Sequence, residues 1–448
     1  MHGSPNPALE LEVAAGVLIV RPMVATARTG LTRALAHRNY RLFFSGQSVS
    51  LVGTWITRVA TSWLVYRLTK SALLLGVVGF WGQIPSLVIA PFAGVLVDRW
   101  DRHKILLWTQ VLSALQSLGL AILALTGTIT VTWIIVLQVA QGIINAFDTP
   151  ARQSFVVQMV DDPADLPNAI ALNSTLVNAS RIVGPSIGGL IIAGVGEGWC
   201  FMIDAISYIA VIASLLAMRV QPKPVRARGA MLDELRAGFS YVSGFAPVRT
   251  ALTLLAVVAT MGMPYSVLMP IIATNVLHGG AHTLGFLMTA SGSGAVVGAL
   301  YLASRQSVVG LGRIMMFATL SFGAGLVVFG LTRVFWLAVL VLPFVGGGMM
   351  VEMASTNTIL QTITEEHMRG RVMAFYTMAF LGTAPIGSLI AGVAASRIGA
   401  SNTIILGGVA CMMGAVWLAL RLPSLRAQIR PIYVERGILS ATEALQTK

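Results

Sequence analysis

The sequence has few charged residues for its length. Of 448 residues, 10% are Asp, Glu, Lys or Arg and 56% are hydrophobic. An ordinary soluble domain carries about 25% charged residues. This shortage argues against a soluble globular protein, because too little polar surface would remain to face water on all sides.

Cysteines and catalytic motifs are also scarce. The two cysteines, Cys200 and Cys411, lie in apolar stretches without metal-ligand spacing, so we interpret them as small core residues. The chain contains no Gly-x-x-x-x-Gly-Lys-Ser/Thr loop and no His-Glu-x-x-His pair. We therefore expect neither an enzyme nor a protein with a resident cofactor or metal ion.

Long hydrophobic runs, in contrast, recur along the whole chain. A run of about 20 residues crosses a hydrocarbon core of about 30 Å as a helix. Continuous apolarity favours helices over the alternating pattern of barrel strands. The sequence thus predicts an all-α integral membrane protein with twelve transmembrane helices, near 42–66, 73–97, 105–126, 131–149, 168–193, 198–218, 250–277, 283–303, 314–332, 334–356, 372–394 and 402–421.

The net charge of +13 is unevenly distributed. If the N-terminus is cytoplasmic and the loops alternate, 24 Lys and Arg residues fall on the cytoplasmic side and 4 on the other. The positive-inside rule then places both termini on the cytoplasmic side of the membrane. We expect this membrane to be a bacterial-type inner membrane. Membrane topology and contact with anionic membrane lipids explain the excess of positive charge. No nucleic acid partner is therefore expected.

A basic, proline-containing segment at 219–249 interrupts the hydrophobic runs, and its second part predicts a short amphipathic helix. It divides the chain into parts that we predict as an N-terminal tail (1–38), a six-helix half (39–218), a linker (219–249), a second six-helix half (250–421) and a C-terminal tail (422–448). Two related halves around a central site are the plan of a secondary transporter.

The densest charge cluster lies between the second and third predicted spans, in Gly94-Val-Leu-Val-Asp98-Arg99-Trp-Asp101-Arg102-His103-Lys104. This stretch resembles the cytoplasmic loop signature of the major facilitator superfamily. Asp101 departs from the wider pattern, which has Gly there, but is common in the enterobactin-exporter-like and macrolide-efflux-like branch. The resemblance covers roughly residues 38 to 420 and implies the two-half major facilitator fold.

The resemblance also implies a cytoplasmic gate. Gly94 would allow a close helix approach, and Asp98 would cap a nearby helix, for which the resemblance suggests span 11. Arg99, Arg102 and Lys104 would pair with carboxylates and hold the cytoplasmic side shut. The alternative is a loop that only anchors the topology and contacts lipid.

A second motif lies in span 5. Gly184, Pro185, Gly188 and Gly189 resemble the Gly-Pro-x-x-Gly-Gly antiporter signature of exporters, although Ser180 stands where the full signature has Gly. Proline bends a helix and glycines permit close packing. The alternative is tight helix packing without a role in transport.

Polar residues form stripes inside three spans of the first half. Buried arginine is costly in a membrane and should face a partner or a water-filled cavity. We therefore predict a substrate cavity, or alternatively interhelical hydrogen bonding, at Gln47, Thr54, Arg58, Gln138, Gln141, Asn145, Asn178 and Arg181.

Two carboxylates are the candidates for proton coupling. Glu352 lies inside span 10 and is our first choice, while Asp204 lies near the external end of span 6. Carboxylates within membrane spans often belong to proton relays. For Asp204 the alternatives are an ion pair with an arginine or a helix cap.

These observations favour a monomeric transporter that exports a small amphipathic organic molecule, siderophore or drug-like. Alternating access would be driven by proton antiport; direction and coupling rest on the resemblance. A lysophospholipid flippase or an importer of the same fold is the first alternative. A non-transporting membrane sensor or scaffold is the second, but it gives no reason for the in-membrane Arg58, Arg181 and Glu352.

Overall fold

The computed structural model describes residues 11–14, 17–20, 32–219, 231–305 and 307–439. Within these ranges, the side chains at 11–14, 17–20, 90, 91, 95, 98 and 231–235 are outside the description. In the N-terminal tail, strands β1 (Leu11–Ala14) and β2 (Val17–Val20) form an antiparallel hairpin. A 3-10 turn, Arg33–Ala36, leads into the first long helix.

Six helices make the first half: α1 (Arg38–Thr69), α2 (Ala72–Arg99), α3 (Arg102–Leu125), α4 (Val131–Met159), α5 (Leu166–Val195) and α6 (Glu197–Ala217). Their starts follow capping chemistry, since Ser71 caps α2 and Thr130 caps α4 through their hydroxyls. Asp101, which departs from the superfamily pattern, caps α3 by accepting the backbone N–H of His103 at 3.0 Å.

The second half follows α7 (Met231–Gly244), which lies where the amphipathic linker helix was predicted. Span 7 consists of α8 (Ala246–Val257), a π-helical turn (Val258–Gly262), α9 (Tyr265–Ile271) and a second π-helical turn (Ile272–Val276). Then follow α10 (Ala281–Ala303), α11 (Leu311–Leu331) and α12 (Phe335–Ile363). Span 11 joins α13 (Glu366–Thr377), a π-helical turn (Met378–Gly382) and α14 (Thr383–Ile398), and α15 (Ala400–Glu435) ends the bundle.

The predicted twelve-helix architecture is confirmed. In the described part of the chain, eleven spans are long and apolar enough to cross a membrane. The twelfth is α1, whose 32 residues include Arg41, Arg58 and Arg67. α15 continues to Glu435, past residue 421, where we expected span 12 to end, because Pro423 and Pro431 are accommodated inside the helix.

The bundle has two ends, which differ in how the halves meet. One end carries the connections at 100–101, 160–165 and 364–365, and we call it the loop face. The other end, the opposite face, carries the connections at 70–71, 196 and 399. Toward the opposite face, one hydrophobic cluster runs through both halves and includes Leu75, Tyr265 and Ala391. Toward the loop face the core divides into one cluster per half, so the halves separate there.

Candidate functional site

A central cavity of about 2170 Å³ lies between the two halves. Arg99, Arg152 and Gln153 line it toward the loop face from the first half, and His367 and Arg371 do so from the second half. Because the hydrophobic core is also divided at this end, the cavity opens at the loop face.

Close helix contacts shut the cavity at the opposite face. A Cβ on Gly285 of α10 would lie 2.6 Å from the carbonyl oxygen of Pro185 in α5. A Cβ on Gly76 of α2 would lie 2.5 Å from the carbonyl oxygen of Ser388 in α14. Between the same halves, the Tyr66 hydroxyl donates to Asn275 Oδ1 at 2.9 Å. The molecule is therefore open on one face only.

The polar stripes of α1, α4 and α5 converge on this cavity. It is lined by Gln47, Thr54, Arg58, Gln138, Gln141, Asn145 and Arg181. Asn178 is not among the described lining residues, and its amide donates to the Ser174 carbonyl at 2.8 Å within α5. Gln141 donates to Ser113 of α3 at 3.2 Å and, within α4, to Asn145 at 3.1 Å, so this stripe both lines the cavity and bonds a neighbouring helix.

Two arginines from different stripes meet on one indole ring. The guanidinium carbon of Arg58 lies 4.6 Å from the centroid of the Trp55 ring, and that of Arg181 lies 5.4 Å from it. Planar guanidinium groups stack favourably on aromatic faces. Trp55, which no sequence pattern singled out, thus positions both cations in the cavity wall.

Asp204 is buried two turns inside α6 and lines the cavity. Its Oδ2 accepts hydrogen bonds from Ser117 of α3 at 2.7 Å and from Thr57 of α1 at 3.0 Å, while its Oδ1 has no protein partner. Its position within span 6 agrees with the prediction, because α6 begins one residue before the predicted span, but the capping alternative is wrong. The carboxylate bonds side chains of two neighbouring helices, because α6 places it toward the interior of the bundle.

Glu352 is equally buried but lies apart from the cavity. It belongs to α12, accepts from the Thr356 hydroxyl at 3.1 Å, and its Oε2 has no protein partner. It is not among the described lining residues. Glu352 and Asp204 are therefore similar in chemistry and burial, and they differ in access.

The gate motif lies at the mouth of the cavity. Arg99 lines the opening and Lys104 is exposed in the first turn of α3, whereas the side chain of Asp98 lies outside the described part of the structure. A Cβ on Gly94 would meet nothing within 4 Å. The close helix approach expected at Gly94 is thus absent in this conformation, because the two halves are apart at the loop face.

The glycines of the span 5 motif pack against two different helices. A Cβ on Gly184 would overlap Trp55, and one on Gly188 would lie 3.2 Å from the Cα of Ile56, both in α1. A Cβ on Gly189 would lie 2.8 Å from the Ala281 carbonyl oxygen of α10. The motif packs tightly within its own half and across to the other half.

A buried ion pair in α4 was not predicted from the sequence. Asp148 pairs with Arg152 one turn later and accepts from Thr109 at 2.9 Å and from Gln110 at 2.7 Å. Span 4 was predicted to end at 149, which placed the pair at a helix end. The i, i+4 spacing of opposite charges was the available signal. Tyr265 and Ser291, joined at 2.6 Å, were also missed.

Comparison with known proteins agrees with this architecture. The model of the transmembrane secretion effector family matches residues 30–434. The chain belongs to this family. It is similar to the staphyloferrin A transporter of Staphylococcus aureus, with 26% identity over 82% of the chain and 92% of the relative. It is also similar to the multidrug efflux pump Tap of Mycolicibacterium fortuitum, with 28% identity over 86% of the chain and 92% of the relative. The enterobactin exporter EntS of Shigella boydii is 27% identical over 80% of the chain and 85% of the relative.

Solved structures show the same fold. A bacterial homologue of the human lysosomal transporter Spinster, inward-facing and unoccupied, has a TM-score of 0.62 at 13% identity, over 91% of this chain and 99% of that one. A POT family transporter in complex with 5-aminolevulinic acid has a TM-score of 0.67 at 11% identity, over 87% and 96%. As a member of the secretion effector family, the chain is a multi-pass membrane transporter of the major facilitator superfamily.

Proposed function

We propose that this protein exports a small amphipathic organic molecule, siderophore or drug-like, across a bacterial inner membrane. The observation that carries the proposal is a large cavity open on one face, with charged groups deep in its wall. Charged side chains within a membrane mark substrate and ion pathways. Two of the relatives, an enterobactin exporter and a multidrug efflux pump, support the direction of transport.

The loop face is the cytoplasmic face in this proposal, and both termini lie there. Basic residues outside the hydrophobic core concentrate on this face, among them Arg99, Arg102 and Lys104. By the positive-inside rule such residues stay in the cytoplasm, where they also contact anionic lipids. The cavity then receives its substrate from the cytoplasm, and the protein acts as a monomer.

Alternating access closes the loop face while the opposite face opens. The gate motif supports this proposal, because Arg99 lies at the mouth and Gly94 has free space to receive a helix when the halves approach. Asp98, Arg99, Arg102 and Lys104 would then form the clasp of the closed state.

Proton antiport is the proposed energy source, with Asp204 as the proton-binding group. It lines the cavity and keeps one carboxylate oxygen without a protein partner. Substrate and proton can then compete for the same aqueous space. Glu352 lacks this access and becomes the second choice.

Inside-out membrane vesicles provide the test of function. With an imposed proton gradient, we expect vesicles containing the protein to accumulate a member of a panel of siderophores and drugs, and an uncoupler to abolish accumulation. Asp98→Asn should insert normally and lose transport. Lysophospholipid movement without proton dependence would favour a flippase, and no movement of any compound would favour a sensor or scaffold.

Thiol labelling provides the test of topology and alternating access. Both native cysteines are buried, so background labelling should be low. Gln153→Cys, which lines the mouth of the cavity, should react with an impermeant reagent from the cytoplasmic side, and Ser396→Cys, on the opposite face, should react only from outside. Labelling of Gln153→Cys that a transported substrate leaves unchanged would contradict alternating access.

A further inference from the structure

The inner part of the cavity wall holds two positive charges that no acidic side chain in the described part of the chain neutralises. Arg58 is more than a third exposed, although α1 carries it deep into the bundle, so it faces the space of the cavity. Arg181 reaches the same place from α5. In the described part of the chain, neither guanidinium has a carboxylate within 4.0 Å. Both lie over the Trp55 ring, and Arg181 also interacts electrostatically with Tyr265.

Holding two like charges on one indole is unfavourable without a counter-ion. Arginine within a membrane normally pairs with an acidic residue or faces water. Stacking on Trp55 orients both groups, but it leaves their N–H donors free toward the cavity. Two planar, oriented donor groups are well suited to bind a carboxylate or another acidic pair of oxygens.

The acidic residues of the cavity do not supply this counter-ion. Among the described lining residues, the carboxylates are Asp148 and Asp204. Asp148 is engaged by Arg152, Thr109 and Gln110, and Asp204 by Ser117 and Thr57. The described lining also includes Arg99 and Arg371 near the mouth, so the path from the loop face to the two inner arginines is electropositive.

The wall contributed by the second half is mainly apolar. Met263, Met269, Met288 and Met349 line it, next to the ring of Tyr265. Flexible thioethers adapt to irregular apolar and aromatic shapes. A ligand that satisfies both walls carries an acidic group at one end and an apolar or aromatic body at the other.

We propose that Arg58 and Arg181, held on Trp55, bind an acidic group of the transported molecule, whose apolar body lies against the methionine wall. This selects amphipathic anions over neutral and cationic compounds of the same shape. The proposal rests on the transport function above and specifies its substrate class. A free organic acid and the phosphate of a lysophospholipid share this chemistry, and the experiment separates them.

Binding to purified full-length protein tests the charge preference. The probes are 2-naphthoate, 2-naphthamide and 2-naphthylmethylammonium, which share one aromatic body and differ in charge, measured by isothermal titration calorimetry at pH 7.5. We expect 2-naphthoate to bind at least tenfold tighter than the other two. Equal affinities, a preference for the ammonium compound, or no saturable binding of 2-naphthoate would overturn the proposal.

Variants show whether the two arginines cause the preference. Arg58→Gln and Arg181→Gln should each lose at least tenfold in 2-naphthoate affinity with little change for 2-naphthamide, and Arg58→Lys should retain part of the preference. Arg397→Gln, at the opposite-face end of α14 and outside the described lining, is the matched control and should bind as the wild type does. Unchanged 2-naphthoate affinity in both glutamine variants, in monodisperse protein, would refute the assignment.

Two further experiments complete the test. The first asks whether the bound anion is a free organic acid or a lipid phosphate, and the second tests the anion site separately from the export function. Displacement of 2-naphthoate by lysophosphatidylglycerol would support a phosphate lipid as the anion, and its failure would support a free organic acid. Gradient-driven efflux of an anionic siderophore with the same rate in Arg58→Gln as in wild type would overturn the anion site while leaving the export function intact.

Discussion

The two halves of the bundle contribute different chemistry to one cavity. The first half supplies its inner charges and amides, with Arg58, Gln138, Arg181 and Asp204 in the wall. The second half supplies methionines, such as Met263 and Met288, and the Tyr265–Ser291 pair. Two halves of the same architecture thus present different surfaces to the cavity, with polar and charged groups from the first and mainly apolar groups from the second.

The buried carboxylates illustrate the same division. Asp204 and Glu352 are both almost completely buried, and each leaves one oxygen without a protein partner. Asp204 reaches the cavity in the first half, whereas Glu352 is enclosed by the second half. The proposed coupling role of Asp204 therefore rests on its access to the cavity and not on burial alone.

The largest expected effect tests this difference directly. Asp204→Asn should reduce proton-driven efflux in inside-out vesicles at least tenfold, because an amide cannot bind and release the coupled proton. Glu352→Gln is the matched control in the second half and should stay within about twofold of wild type, when both variants elute as monodisperse protein. The reverse pattern would transfer the coupling role to the second half.

The second prediction concerns the close helix contacts between the halves at the opposite face. Gly285→Ala would place its Cβ 2.6 Å from the Pro185 carbonyl oxygen, a backbone atom that cannot move aside without shifting α5. Overpacking costs roughly 1–3 kcal/mol, and it applies to the conformation in which the opposite face is shut. Since about 1.4 kcal/mol is a factor of ten, the ratio of the two conformations should shift about tenfold, and thiol labelling of Gln153→Cys from the loop face should slow by up to about that factor.

A control on the neighbouring helix completes that experiment. A Cβ on Gly194 of α5 would meet nothing within 4 Å, so Gly194→Ala should label at the wild-type rate. Equal labelling rates in the Gly285 and Gly194 variants would show that the glycine contacts do not determine which face is open.

The smallest expected effect concerns the histidine–carboxylate contacts at two equivalent loops, 160–165 in the first half and 364–365 in the second. In the first half, His37 contacts Asp161 at 3.2 Å and Asp165 at 3.0 Å. Burial lowers the pKa of His37, but hydrogen bonds and charge from Asp165 and Asp161 outweigh it, so the pKa lies above its ordinary value. In the second half, His367 and Glu365 are 3.4 Å apart and both largely exposed.

A raised histidine pKa stabilises the folded state at low pH. The contribution of His37 is complete below its unfolded pKa of about 6.5 and is lost as the pH rises through the raised folded value. We expect backbone hydrogen exchange at 160–165, corrected for its intrinsic pH dependence, to increase above that value by an amount equivalent to less than about 1 kcal/mol. His37→Gln should remove this pH dependence, and a dependence that persists in His37→Gln would contradict the assignment.

Most of the fold follows from the sequence. Hydrophobic runs of about 20 residues have one stable arrangement in lipid, the membrane-spanning helix. The number and order of the helices could therefore be predicted from the hydrophobic pattern of the sequence. The superfamily resemblance at 94–104 was confirmed by the family match. Helix ends were less predictable, because α15 extends to Glu435 through two prolines whose tolerance depends on neighbouring helices.

The site could be predicted only in part. Intramembrane arginines and amides are rare enough to be recognised in a sequence, which is why seven of the eight predicted cavity residues line the cavity. The sequence could not reveal that Trp55 lies beneath both arginines or that Asp148 pairs with Arg152 in the wall. These contacts depend on how the helices pack and where they end, and no local pattern encodes that.

The sequence alone determined that this chain spans a membrane twelve times and that its few internal charges need a polar environment, since lipid tolerates neither unpaired backbone groups nor unpaired charges. Only the tertiary structure decided which charges share that environment. Asp204 faces the cavity and Glu352 does not because helix rotation and packing place one toward the gap between the halves and the other inside a half. Packing likewise decided which face is open, through glycine contacts that let the helices meet at one end only.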